Sequence, residues 1–167
     1  MNKLIKNKKG SLLDLVVIGV ALFLLAFGLL IGFKLMDELN DKIQDTGFIP
    51  TEAKTASTEL LGKFTNTLDQ SMLYLAIGLG MATLIMASLV RIHPIFIPFY
   101  IIGLIIVIFF CGIYSELYSE MAAQPQFVDL AGQLVITSQI MTYLPFIVGV
   151  FGMILMAVLY KIWAVNQ

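Results

Sequence analysis

Four long uncharged stretches divide the chain, and each is long enough to cross a lipid bilayer. Residues 15–33, 70–90, 92–115 and 130–160 carry no Asp, Glu, Lys or Arg and contain 19, 21, 24 and 31 residues. About 20 apolar residues cross a hydrocarbon core of roughly 30 Å. The pattern therefore predicts four transmembrane helices, at about 12–33, 71–91, 95–115 and 139–161. Because the last stretch is too long for one crossing, its polar first part is expected outside the bilayer.

The first two predicted spans continue as helices beyond the membrane. Leu35, Leu39 and Ile43 recur every four residues, Gly47 ends this pattern, and Pro50 begins another. Thr51 is placed to cap the second helix, and an acid follows in its first turn. We therefore predict helices over 11–45 and 51–90, about 52 and 60 Å long at 1.5 Å per residue.

The second half of the chain repeats this plan. Span three continues through YSELYSEMAA until Pro125, and Phe127, Leu130, Leu134 and Val135 then form an apolar face that leads into span four. The prediction is an all-α polytopic membrane protein with two antiparallel helical hairpins. Residues 1–167 form a single membrane domain, with helical extensions outside the bilayer at about 34–70 and 116–138.

Composition agrees with a chain that is surrounded by lipid. Hydrophobic residues make up 59% of the sequence and charged residues 13%, with a mean hydropathy of +0.94. A soluble domain carries about 25% charged residues. The net charge of -1 gives no electrostatic footprint for nucleic acid, so we expect no nucleic-acid partner.

The charges between the spans predict the orientation. Residues 1–11, 91–94 and 161–167 contain six basic residues and no acidic one, whereas 34–69 and 116–129 contain ten of the eleven acids. Basic residues stay preferentially on the cytoplasmic side, so both termini are predicted to be cytoplasmic, or interior in a virion. The first span has no small-x-small cleavage site after it, and it exceeds the apolar region of about 7–15 residues that is usual in a signal peptide, which indicates a retained signal anchor.

One ion pair is predicted near the cytoplasmic face. Asp14 lies about one turn inside span one, and Arg91 ends the antiparallel span two at the same depth. An acid near the end of a span costs less than one at its centre. A structural pair between Asp14 and Arg91 is the main interpretation, with interfacial solvation of Asp14 or an ion pathway as alternatives.

Glycines and one hairpin tip are the candidate contact sites. Gly28 and Gly32 form a GxxxG on span one, which favours close helix packing within the chain or between copies. Gly149 with Gly152 on span four, and Gly78 with Gly80 on span two, are weaker pairs that also favour tight packing. The apolar stripes of the extensions are expected either to pack on each other as an external four-helix bundle or, together with Phe48 and Ile49 at the tip, to contact a partner.

The sequence contains no recognisable catalytic set. The single histidine, His93, and the single cysteine, Cys111, lie far apart, and no hydrolase, metalloprotease or phosphate-loop motif occurs. We expect no enzyme activity, cofactor or metal. The pattern favours a structural protein that organises a membrane complex in a virion, secretion or envelope assembly, as a homo-oligomer or with other envelope proteins. The alternative is a small oligomeric channel, holin-like pore or transporter subunit, lined by Thr83, Gln139 and Thr142.

Overall fold

A computed structural model describes residues 12–88 and 97–165, and within these ranges the chain is all-helical apart from short turns. The helices of the described residues, in chain order, are α1 (Leu12–Asp45), α2 (Thr51–Ser88), α3 (Ile97–Ala122), α4 (Val128–Gln133), α5 (Val135–Thr142) and α6 (Leu144–Val165). Three of them, α1, α2 and α3, are long and apolar enough to cross a membrane, and α5 with α6 makes a fourth candidate if the bent pair counts as one span.

Helices α1 and α2 run antiparallel and contact each other up to their connecting turn. The Gln44 amide donates to the carbonyl of Lys54 at 3.0 Å, and the Ser57 hydroxyl donates to the Asn40 side chain at 2.9 Å. Helix α1 ends at Asp45 and α2 begins at Thr51, as the pattern predicted. The predicted cap is wrong by one residue, because the carbonyl of Pro50 accepts the first helical hydrogen bond and Pro50 therefore occupies the N-cap position.

The other long helices, α3 and α6, pack beside this pair. Helix α3 packs on α1, where the rings of Phe23 and Tyr114 stack at 5.2 Å, and on α6, where the Tyr100 hydroxyl donates to the Gly152 carbonyl at 3.0 Å. Helix α6 also contacts α2, where Phe151 lies against Gly80. Each long helix thus packs along two neighbours, and the buried apolar side chains form one continuous core.

The fourth uncharged stretch is not one continuous helix. The chain breaks at Leu134, and α5 and α6 meet at Tyr143 with a bend of 63°. Pro145 stands in the first turn of α6 and has no N–H to donate to the carbonyl of residue 141, and it disfavours helical geometry at Leu144. The segment that was predicted to lead into and form span four is therefore divided into three helices, α4, α5 and α6. The sharp bend lies inside the predicted span 139–161.

The outward surfaces of the long helices are apolar. Ile105 and Phe109 on α3, like Phe146 on α6, leave well over half of their side-chain surface exposed. A soluble monomer rarely exposes so much contiguous apolar surface. Together with the length and apolar character of the helices, this surface indicates a membrane location.

Candidate functional site

The distal half of the α1–α2 hairpin, residues 34–64, carries an open apolar groove between its two helices. The groove has a volume of about 320 Å³. It is lined by Met36, Leu39, Asn40 and Ile43 of α1 and by Ser57, Leu60, Leu61 and Phe64 of α2. Leu39 and Leu60 are 61% and 68% exposed, so the groove walls are solvent-accessible apolar side chains.

Charged residues surround this groove on the same helices. Lys34 pairs with Glu38 at 3.6 Å, and Lys63 pairs with Glu59 at 2.6 Å, each one helical turn apart. The Lys63–Glu59 pair is exposed and the Lys34–Glu38 pair is largely so, and exposed pairs at this spacing contribute a few tenths of a kcal/mol. The distal half is therefore a polar-faced hairpin with an uncovered apolar groove.

The hairpin tip places the two predicted contact residues differently. Phe48 is 99% exposed and touches almost nothing in the described chain, whereas Ile49 is partly buried. The turn that holds them is joined to the helix ends by a hydrogen bond from the Thr46 hydroxyl to the Lys42 carbonyl at 2.7 Å. Lys54 adds a second link, since its ammonium group donates to the Gln44 carbonyl.

The apolar stripes do not bury each other completely in this chain. Helices α4 and α5 pack against α1 and α2 only near the base of the hairpin, where Leu30 and Phe33 are buried. Leu35, Leu39 and Leu60 further out stay exposed. An external four-helix bundle within one chain therefore does not extend over the distal half.

A second feature, the polar cluster, lies at the break in the fourth stretch. Asp69 of α2 is 4% exposed, and one of its carboxylate oxygens accepts hydrogen bonds from the Thr137 N–H and hydroxyl, both at 2.7 Å. Its other oxygen accepts from the Ile136 N–H at 2.9 Å. The carboxylate thus satisfies free N–H groups in the first turn of α5 and complements the helix dipole there.

Hydroxyl groups connect α5 to α3 in the same cluster. Tyr118 and Ser138 share a hydrogen bond at 3.1 Å, and Ser115 donates to the carbonyl of Thr142 at the C-terminal end of α5 at 3.1 Å. Among the residues that the structure describes, every buried side-chain nitrogen or oxygen has a hydrogen-bond partner. The described part also lacks any group of three His, Cys, Asp or Glu residues placed to hold a metal.

The candidate packing glycines divide into two classes. A Cβ built at Gly149 would lie 3.4 Å from Ile108, and one at Gly152 would overlap Leu104, so both glycines pack against α3. A Cβ at Gly28 or Gly32 would meet no other atom of the described chain within 4 Å. The GxxxG of α1 therefore makes no close helix contact inside the part of the chain described.

Two glycines outside these pairs also make close contacts, and sequence reasoning missed the one at Gly19. A Cβ at Gly19 would lie 3.0 Å from the Cys111 sulfur, and one at Gly80 would lie 2.7 Å from the Phe151 ring. Gly19 belongs to no paired motif, whereas Gly80 forms a weaker pair with Gly78 on the same helix. Only the helix arrangement reveals which of them face a neighbour.

The predicted pair of Asp14 and Arg91 stays a prediction. The Asp14 side chain and the whole of Arg91 lie outside the described residues, and so does His93. Cys111 is within the described part and is buried against α1.

Comparison with known proteins gives no relative: no protein-family model, curated protein or solved structure matches this chain.

Proposed function

We propose that this chain is a non-enzymatic, four-span membrane protein that organises a membrane-embedded complex through its projecting α1–α2 hairpin. The observation that carries the proposal is the uncovered apolar groove of the distal half, with the fully exposed Phe48 at its tip. A virion membrane, a secretion apparatus or a cell envelope is the setting, with both termini on the cytoplasmic or interior side.

The charges argue that the groove lies in water and not in lipid. Six charged residues occur on α1 after the apolar run that ends at Phe33, namely Lys34, Asp37, Glu38, Asp41, Lys42 and Asp45. Charged side chains are expensive inside a bilayer. The stretch from Lys34 to Asp45 therefore projects about 18 Å beyond the hydrocarbon, at 1.5 Å per residue.

An apolar groove in water is a typical binding surface for a helix. Exposed apolar patches with polar rims mark interaction sites on soluble surfaces, and grooves between two helices accept the apolar face of a third. A helix from a second copy or from another envelope protein would cover Leu39, Leu60 and Phe64. Such a contact would fix neighbouring proteins at a defined height above the membrane.

Contacts with the rest of the molecule hold the base of this hairpin in place. Asp69 joins α2 to α5 through three short hydrogen bonds, and the base of the hairpin is buried with α4 and α5. A hairpin that is held at its base places its groove at a fixed height and orientation, which a protein that organises a complex requires.

The alternative, an oligomeric pore or transporter subunit, has less support. The hydroxyls of Thr83 and Thr142 donate to carbonyls of their own helices at 2.8 Å, which is the usual arrangement for such residues in apolar helices. Selective ion flux through liposomes containing purified protein, lost in a Thr83→Val and Thr142→Val double variant, would favour the pore over the organiser.

A photo-crosslinking experiment tests the organiser directly. A photoreactive residue at position 39 or 60 of the full chain, in its native membrane, is expected to give a crosslinked adduct of defined mass. The matched control is position 105, where Ile105 is equally exposed but lies in the apolar span. Leu39→Ala and Leu60→Ala are expected to reduce the size of the detergent-extracted complex, whereas Ile105→Ala is not. Monodisperse single chains in the wild type, with no adduct at either groove position, would contradict the proposal.

A further inference from the structure

Residues 128–142, which comprise α4 and α5, form a strap across one end of the helix bundle. The turn over 123–127 separates the strap from α3, and the 63° bend at Tyr143 separates it from α6. Its helices contain six and eight residues. Isolated helices shorter than about 12 residues are marginal in water, so contacts with the rest of the chain must hold the strap in its helical, docked form.

The strongest polar contact of the strap comes from the other hairpin. Asp69 of α2 is buried, and its two carboxylate oxygens accept the Ile136 N–H, the Thr137 N–H and the Thr137 hydroxyl at 2.7 to 2.9 Å. Hydrogen bonds to an ionised acceptor are shorter and stronger than neutral ones. The contacts of the strap with α3, through Ser138 and Thr142, are single neutral bonds at 3.1 Å.

We propose that the strap opens as a unit, while the long helices α1, α2, α3 and α6 stay folded and packed together. Asp69 is the latch that keeps the strap closed. Loss of the carboxylate takes the charged acceptor from the buried Thr137 N–H and the partly buried Ile136 N–H, and a buried N–H without an acceptor costs more than an average hydrogen bond contributes. The long helices retain their own backbone hydrogen bonds and their contacts with each other when α5 lifts. Segments with breaks at both ends are typical units of local opening.

Opening of the strap changes the surface at the base of the hairpin. Leu130 and Leu134 of the strap are buried in the same apolar core as Leu30 and Phe33 of α1. Lifting the strap would uncover this core next to the groove of the distal half. Opening of the strap does not require the groove to have an occupant.

Hydrogen–deuterium exchange of the full chain in detergent or nanodiscs tests the latch. In the wild type, amides of 128–142 are expected to exchange faster than those of 15–33 and 97–115 through local opening. In Asp69→Asn, exchange at Ile136 and Thr137 should rise by about 30-fold or more, as expected when buried donors lose a charged acceptor. Exchange in the long helices should change by less than about 3-fold.

Two further variants serve as a control and as a milder perturbation of the same contact. Asp129→Asn removes an exposed acid in the first turn of α4 and is expected to change strap exchange by less than about 3-fold. Thr137→Val removes only the hydroxyl bond to Asp69, should fold even if Asp69→Asn does not, and is expected to raise exchange at Ile136 and Thr137 by about 5-fold. The latch is wrong if both changes leave strap exchange unaltered, or if they accelerate exchange equally across α1, α3 and α6, since that would assign Asp69 to the stability of the whole bundle.

Discussion

The close approach of α3 and α6 at Gly152 predicts a specific cost for adding one methyl group. A Cβ at Gly152 would overlap Leu104 Cδ1 and lie 2.9 Å from its Cδ2 and 3.1 Å from its Cγ. Leu104 is buried, so its side chain has little room to move aside. Overpacking of a close-packed core costs about 1–3 kcal/mol, whereas Gly→Ala in a helix gains about 1 kcal/mol from helix propensity.

Gly28→Ala provides the matched control for this substitution. The chemical change is identical and also occurs inside a long apolar helix, but the new methyl group meets no atom of the described chain. The propensity gain then cancels between the two variants, and their difference in unfolding free energy isolates the contact with Leu104. We expect Gly152→Ala to be less stable than Gly28→Ala by about 2 kcal/mol.

Reversible unfolding in mixed micelles, followed by circular dichroism at low protein concentration, measures this difference. Low concentration matters because a contact between copies at Gly28 would add its own effect, and a dilution series shows whether one is present. Equal stability of Gly152→Ala and Gly28→Ala in dilute micelles would refute the packing of α6 on α3 described here.

Four other outcomes follow from the structure. Tyr100→Phe should lower the unfolding free energy by about 1 kcal/mol, because it removes the hydrogen bond to the Gly152 carbonyl; the same micelle titration measures it. Phe48→Ser should change stability by less than about 0.5 kcal/mol, since the ring is 99% exposed, and a larger loss would mean that the tip is buried. Cys111 should resist aqueous maleimide in the folded protein and react fully after denaturation, because its side chain is buried; mass spectrometry follows the label. Pro145→Ala should reduce the 63° bend between α5 and α6, which spin-label distances across the bend would report, and an unchanged distance would assign the bend to packing alone.

Local patterns were sufficient to predict the long helices. The spacing of Leu35, Leu39 and Ile43, together with Gly47 and Pro50, fixed the end of α1 and the start of α2 to within a residue. These signals act over a few residues and depend on local backbone geometry. They can therefore be recognised in the sequence without knowledge of tertiary contacts.

The break in the fourth stretch was missed although part of its signal is local. Pro145 disfavours helix at the residue before it, and attention to it would have divided 130–160 near Tyr143. The break at Leu134 has no such residue. There Asp69, which lies 68 positions before Thr137, accepts N–H groups at the start of α5, and no local pattern could pair these two residues.

The glycines show the same limit. Gly28 and Gly32 have the spacing of a packing motif, yet a Cβ at either one meets nothing in the described chain within 4 Å, whereas Gly19, which belongs to no such pair, faces the Cys111 sulfur. Spacing reports which residues share a helix face. Which face meets a neighbour is decided by the arrangement of all the helices.

The central claim is that a membrane separates the hairpin turns from the two ends of the chain, and site-directed thiol labelling in intact cells or virions tests it most directly. In a Cys111→Ala background, single cysteines at Phe48, Gln126 and Lys161 would be treated with a membrane-impermeant maleimide. The account predicts labelling at 48 and 126 from outside, and labelling at 161 only after the membrane is opened. Labelling of position 161 together with 48 in sealed membranes, or protection of 126 when 48 reacts, would contradict it.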